Sequence, residues 1–172
     1  YKIDTPAVAN RSTLDTQATT ASTGGTGSGI TTSSITISWN AGDGATHFVL
    51  VKAADPVDAD PVDGESYTAD AAFGSGSQLG TGNYLVYLGS DTFVTITGLD
   101  PNTTYYYEVF EVNGSGESSN YLTSPSLTGN EVTLEDAPVA QVADFEISAT
   151  TTNSMSLSWT NTNADSVIVI AR

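Results

Sequence analysis

Carboxylates are the most numerous reactive groups in this 172-residue chain, with twenty Asp and Glu against four Lys and Arg. Six of them, Asp55, Asp58, Asp60, Asp63, Glu65 and Asp70, fall within the segment 54–82. Calcium takes about six to eight oxygen ligands, which a carboxylate-rich loop can supply, so Asp55, Asp58, Asp60 and Asp63 are the metal candidates. The spacing is not that of an EF-hand loop, and Pro56 and Pro61 interrupt it. The same residues serve equally as turn formers in a solvated acidic loop. His47 is the single histidine, and no G-x-S-x-G or comparable nucleophile context accompanies it. Glycoside hydrolysis needs two acids flanking a cleft. Glu108 and Glu111 are close in sequence, but they lie in a β-prone run with no evident cleft, where surface charge is the simpler expectation. No catalytic residue is assigned, and no cofactor is expected beyond possible calcium. Tyr106 and Phe110 share one face of that run. They are candidates for an exposed aromatic patch that binds a sugar or a neighbouring module, or else for a cross-strand aromatic cluster.

A net charge of −16 disfavours nucleic acid and anionic membrane surfaces as partners. The chain has no cysteine, which excludes disulfides, thiolate catalysis and zinc–sulfur sites, so the fold must stand on its apolar core. No apolar run reaches the ~20 residues that span a bilayer as a helix, so direct membrane insertion is not expected. The chain opens at Tyr1 without a signal-peptide pattern and reads as an interior piece of something longer.

The positioning elements read as strands. Ile35-Thr36-Ile37-Ser38-Trp39 alternates apolar and polar residues, the signature of a strand buried on one face. Asn40-Ala41-Gly42-Asp43-Gly44 is a turn cluster, and Phe48-Val49-Leu50-Val51 is apolar on both faces. Further strands are predicted at 84–88, 93–96, 104–112 and 131–134, each bounded by Gly, Asn or Pro. Residues 1–16 read as a linker or the end of a preceding module, and 19–29 as a loose edge strand or a loop. Without a sustained helical stripe, this pattern predicts an all-β antiparallel sandwich.

An internal repeat divides the chain. Ser33-Ser34-Ile35-Thr36-Ile37-Ser38-Trp39 recurs as Asn153-Ser154-Met155-Ser156-Leu157-Ser158-Trp159, and 159 − 39 gives an offset of 120 residues. At the same offset, residues 47–52 fall on 167–172. The expected organisation is a complete module over 17–135, carrying a long insertion at 54–82, and the N-terminal part of a second over 137–172. Half a sandwich leaves its inner face uncovered, so the second copy is expected not to fold alone.

Gly98-Leu99-Asp100-Pro101-Asn102-Thr103-Thr104-Tyr105 resembles the E–F corner of fibronectin type III modules. The resemblance makes Leu99 a core plug, Pro101 the turn former and Tyr105 a tyrosine corner, with Tyr107 and Val109 pointing inward. Trp39, and Trp159 in the second copy, match the family's strand-B tryptophan. Residues 112–118 look like its F–G turn. Glu111 stands where many such modules have a small apolar residue, which implies a bulge or an exposed strand end. The wording of segments such as GTGNYLVY and YEVFEVNGSGESSNYLT is similar to modules in large secreted proteins of Bacteroidota, many exported by a type IX system.

These readings imply a non-catalytic spacer or adhesion module of a long secreted or cell-surface protein. Its partners would be neighbouring modules of the same chain, and possible further ones are surface glycans or other surface proteins. The alternative is an accessory module of a secreted hydrolase that positions it or binds carbohydrate. Asn10-Arg11-Ser12, Asn102-Thr103-Thr104 and Asn113-Gly114-Ser115 fit the N-glycosylation sequon, as chance allows in so Ser/Thr-rich a chain. Asp165-Ser166-Val167 resembles the short sequence that Bacteroidota O-glycosylate.

Overall fold

Alternation over Ser34–Asn40 has the consequence that period-2 patterning dictates. Ile35, Ile37 and Trp39 are buried, and Ser34, Thr36 and Ser38 are half-buried on the opposite face. The structure, a computed structural model, describes residues 12–162 and 166–170. The chain divides into two compact units, Tyr1–Glu135 and Asp136–Arg172. The first holds β1 (Thr23–Ser28), β2 (Ser34–Asn40), β3 (Thr46–Ala53), β4 (Gln78–Leu79), β5 (Asn83–Gly89), β6 (Phe93–Thr97), β7 (Thr104–Asn113) and β8 (Asn120–Val132). The second holds β9 (Ala143–Thr150) and β10 (Met155–Thr160).

In the first unit a three-stranded sheet, β1-β2-β6, faces a five-stranded sheet, β4-β5-β3-β7-β8, and all neighbours within each sheet are antiparallel. This is a fibronectin type III-like β-sandwich. Between the layers lies a core of Ile35, Ile37 and Trp39 from β2, Val49 and Val51 from β3, and Tyr105, Tyr107 and Val109 from β7, among others. Leu99 plugs its end, 5% exposed. The Tyr105 hydroxyl accepts the Asp100 backbone N–H at 2.8 Å, which pins the corner to the strand that follows it. Pro101 is exposed at the turn, and Asn102 takes a left-handed φ of 47°.

The centre of the five-stranded sheet, above all β3 and β7, is buried on both faces. Phe48, Leu50, Leu79, Leu85, Phe110, Val112 and Tyr121 form a second core on its outer side, and Val57, Ala59, Tyr67 and Ala69 of the insertion pack against it. Phe48 is the hub. Its ring meets those of Tyr67, Phe110 and Tyr121 edge-on at 5.4, 6.1 and 5.4 Å. The insertion then wraps round the sandwich edge. Phe73 N–H donates to Thr97 O and Thr97 N–H to Ala71 O, both at 2.9 Å, so backbone from the insertion engages the free side of β6. The unsettled facing of Phe48 to Val51 is thereby resolved, because both faces are inside.

Phe110 therefore belongs to a cross-strand aromatic cluster with Phe48 of β3, not to an exposed aromatic patch. It is fully buried beneath the insertion, while Tyr106, on the same face, is half-buried. Glu111 is not at an exposed strand end either, being 1% exposed, although the pairing of β7 with β8 does shift register between Val109 and Glu111. Residues 1–11 of the expected linker lie outside the described residues. The remainder is docked: Asp15 N–H donates to Ser118 O at 2.9 Å, and the Asn120 and Asn113 side chains donate to the Asp15 and Thr16 carbonyls.

The second unit repeats the local geometry of the first. Leu157↔Ile147, Ser158↔Glu146 and Thr160↔Ala143 are the pairs Ile37↔Gly27, Ser38↔Thr26 and Asn40↔Thr23 displaced by 120 residues. The turn before the strand recurs too, since Thr31–Ser34 and Thr151–Ser154 close with the same hydroxyl pair at 2.8 Å. Trp159, 36% exposed, lines an open apolar hollow with Phe145, Ile147, Met155, Leu157 and Val167–Ile170.

The outer core yields a direct test. Phe110→Ala should cost about 3–5 kcal/mol in urea unfolding of the chain, as for a ring removed from a packed interior. A residue of an exposed patch would change stability by only about 0.5 kcal/mol or less.

Candidate functional site

Counting by twos along β7 from Tyr105 places Glu111 on the inner face, at the end of the core. It is held there by three donors from two separate segments. The Ser22 hydroxyl donates to Oε1 at 2.5 Å, Gly42 N–H to Oε1 at 2.9 Å and Gly44 N–H to Oε2 at 2.9 Å. Both glycines are required by this approach. A Cβ on Gly42 would run into the Thr20 carbonyl, and one on Gly44 would lie 2.6 Å from Glu111 Oε2. Between them, Asp43 accepts the backbone N–H groups of Thr19 and Thr20 at 2.9 and 2.8 Å and the Thr19 hydroxyl at 2.7 Å. These donors, the Thr20 N–H first, hold the Asp43 carboxyl below its usual range.

His47 lies directly opposite Glu111 on β3, with Nδ1 3.3 Å from Oε1. Its ring meets Trp39 edge-on at 5.6 Å. Ser22, His47 and Glu111 are thus the residue types of a hydrolytic triad gathered at one point, but the connections are wrong for that chemistry. The serine hydroxyl donates to the carboxylate rather than to the imidazole, and the three residues are 3%, 2% and 1% exposed, so no substrate reaches them. The cluster acts as a polar plug that ties the 40–44 turn and the 19–22 segment to the end of the core.

The other sequence candidates do not converge. Glu108 and Glu111 point to opposite faces of β7 and cannot flank one substrate. Burial pushes the Glu108 carboxyl up; the Ser126 hydroxyl that donates to it opposes the shift, and the nearby Asp60 charge adds to it. Asp58 bridges Lys52 Nζ at 2.7 Å and Asn83 Nδ2 at 2.8 Å, and these contacts, Lys52 first, lower its pKa. Asp63 accepts the Tyr121 N–H at 2.8 Å, and Asp70 accepts the Ala72 N–H two residues on. Asp55 and Asp60 are exposed. The candidate calcium site at Asp55, Asp58, Asp60 and Asp63 is therefore not assembled, because Asp58 and Asp63 are committed elsewhere. Among the described residues, no group of three or more His, Asp or Glu is placed to hold a metal ion.

Of the sequons, Asn113 has both ends of its amide engaged, with Ala45 N–H and Thr16 O. Asn102 is exposed, and Asn10 lies outside the described residues, as does Asp165. Sequence reasoning missed Ser22 and the two glycines as partners of Glu111. It also missed Phe93, an aromatic side chain that is 55% exposed. The register signal for Glu111 was available, since it follows Val109 by two.

Two substitutions test this reading. Glu111→Ala leaves the Ser22 hydroxyl and the Gly42 and Gly44 amides without their acceptor and should cost about 3–5 kcal/mol in chemical denaturation. The raised Glu108 pKa means that the folded protein binds this proton more tightly than the unfolded chain does. Ionised Glu108 therefore costs stability at neutral pH, and the cost disappears as pH falls through the folded pKa. Glu108→Gln should raise the thermal midpoint at pH 7, and the gain should vanish below about pH 4 in melts recorded across pH.

One solved structure, described as a computer-based redesign of a β-sandwich protein, is 20% identical, with a TM-score of 0.46 over 70% of this chain and 95% of its own. The family model for the N-terminal domain of purple acid phosphatase matches residues 15–125. That span starts where Asp15 docks and includes the insertion, the E–F corner and the F–G turn. It covers well over half of the chain, which belongs to the purple acid phosphatase N-terminal domain family.

Proposed function

We propose that the chain is a non-catalytic spacer and adhesion module of a long secreted or cell-surface protein. The observation that carries this reading is the closed interior of the first unit. Both faces at the centre of its larger sheet are covered, and its one meeting of Ser, His and carboxylate is sealed from solvent. A surface location suits a chain whose one tryptic site among the described residues, Lys52, lies in β3 and is ion-paired to Asp58. The repeat at 120 residues, with its retained strand register, supports a tandem array as the setting. Export of the Bacteroidota type IX kind belongs to the same proposal and rests on the wording of the sequence.

A second reading, an accessory module that positions a hydrolase, is favoured by the family match, since that family is named for the N-terminal domain of a phosphatase. The parent reading frame separates the two: a metallophosphatase domain following this segment favours positioning, and a long series of similar modules favours the array. For either reading, the 172-residue chain should hydrolyse p-nitrophenyl phosphate no faster than buffer, with or without added iron and zinc. Turnover that purifies with the chain would overturn both.

A further inference from the structure

The outer face of β1-β2-β6 differs from the rest of this acidic molecule. Register sets its side chains in rows across the strands, Thr26–Ser38–Phe93 and Ser28–Thr36–Thr95. Five of these six carry a hydroxyl, none is charged, and the insertion that covers the other sheet does not cover them. Strand geometry repeats such positions about 4.8 Å apart between strands and about 6.7 Å along them. Neighbouring hydroxyls are mutually oriented: Thr26 Oγ1 lies 3.1 Å from Ser38 Oγ, and Thr36 Oγ1 lies 2.8 Å from Thr95 Oγ1. Phe93 stands at one end of a row, 55% exposed, while Val94 and Ile96 beside it point into the core.

We propose that this face binds an extended, neutral polysaccharide. Charge selects the occupant. With −16 on the chain, an anionic partner or a second copy is repelled. A cationic partner finds no carboxylate among these rows. An apolar partner would strand the hydroxyls without hydrogen bonds, at a cost for each. A neutral sugar polymer meets all of these conditions. Its hydroxyls both donate and accept, as Ser and Thr do, its C–H faces stack on an aromatic ring, and its repeat suits a periodic grid. The hydroxyl stripe also recurs in the second unit, where Ser154, Ser156 and Ser158 occupy the positions of Ser34, Thr36 and Ser38 and are exposed.

Native gel electrophoresis of the whole chain, in gels containing xyloglucan, galactomannan or pullulan, provides the test. At least one polymer should retard the wild-type protein. Phe93→Ala should weaken that binding about tenfold, the scale of one aromatic contact. The double variant Thr36→Glu/Thr95→Glu should abolish it by adding charge to the grid, with the thermal midpoint checked for both variants. Failure of all three polymers to retard the wild type overturns the proposal. Retardation that both folded variants retain overturns it equally, as does concentration-dependent dimerisation through this face. Failure of this binding leaves the non-catalytic module reading standing, since that reading is tested separately by phosphatase turnover and by the parent reading frame.

Discussion

The structure depends on one strand having to be buried twice. Along β7, Tyr105, Tyr107 and Val109 face the opposite sheet, and Phe110 and Val112 face away from it. β3 does the same with Val49 and Val51 on one side and Phe48 and Leu50 on the other. A sheet with two apolar faces needs two covers, and a three-stranded partner supplies only one. The insertion is the second. Its length is therefore a packing requirement rather than an ornament on a surface loop. Without it, Phe48, Phe110 and Tyr121 would form an exposed apolar surface of the kind that drives association.

Glu111 solves a different problem at the end of the sandwich. A buried carboxylate is costly, and apolar residues of the same volume often stabilise a fold more. A carboxylate specifies geometry in return. Only when Gly42, Gly44 and Ser22 arrive together are its oxygens satisfied, and these partners lie 69, 67 and 89 residues away in the chain. The plug thus couples the N-terminal segment, the 40–44 turn and β7 into one arrangement. Ser22, His47 and Glu111 are all buried, and the Trp39 ring packs edge-on against His47 beside them.

This contrast explains what the sequence made legible. Trp39 and Tyr105 could be placed because each follows from local rules, one from alternation and the other from a corner motif seven residues long. The 120-residue repeat could be read because a register slip would have turned every side chain to the wrong face, and the register is kept. For Phe110 the cross-strand cluster was the right alternative and the exposed patch the wrong one, because alternation says which residues share a face but not whether something covers it. The cover, residues 54–77, is rich in Asp and Pro and has apolar residues at irregular intervals, so it reads as a solvated loop. Glu111 lay on the inward count, but burying it depends on partners that no local pattern announces. The aspartates of the insertion were visible as a group, whereas their separate engagements with Lys52, Tyr121 and Ala72 follow only from the folded path of the loop.

That path has its own logic in so acidic a chain. The insertion carries six carboxylates and must lie against a sheet whose outer face also holds Glu108, so Coulomb repulsion opposes its docking. Lys52 is the one cation among the described residues, and it sits on the sheet where the insertion begins. Asp58 reaches it between Val57 and Ala59, the two residues that begin the outer core's cover. With its aspartate largely exposed, an ion pair of this kind adds little to stability, and salt weakens it. Its place in the chain matters more than its strength. With Asn83 accepting the Asp58 N–H and donating to the same carboxylate, the pair fixes the register in which the first apolar residues of the insertion meet the sheet. From that point the aromatic contacts of Tyr67 supply the attraction that the carboxylates oppose.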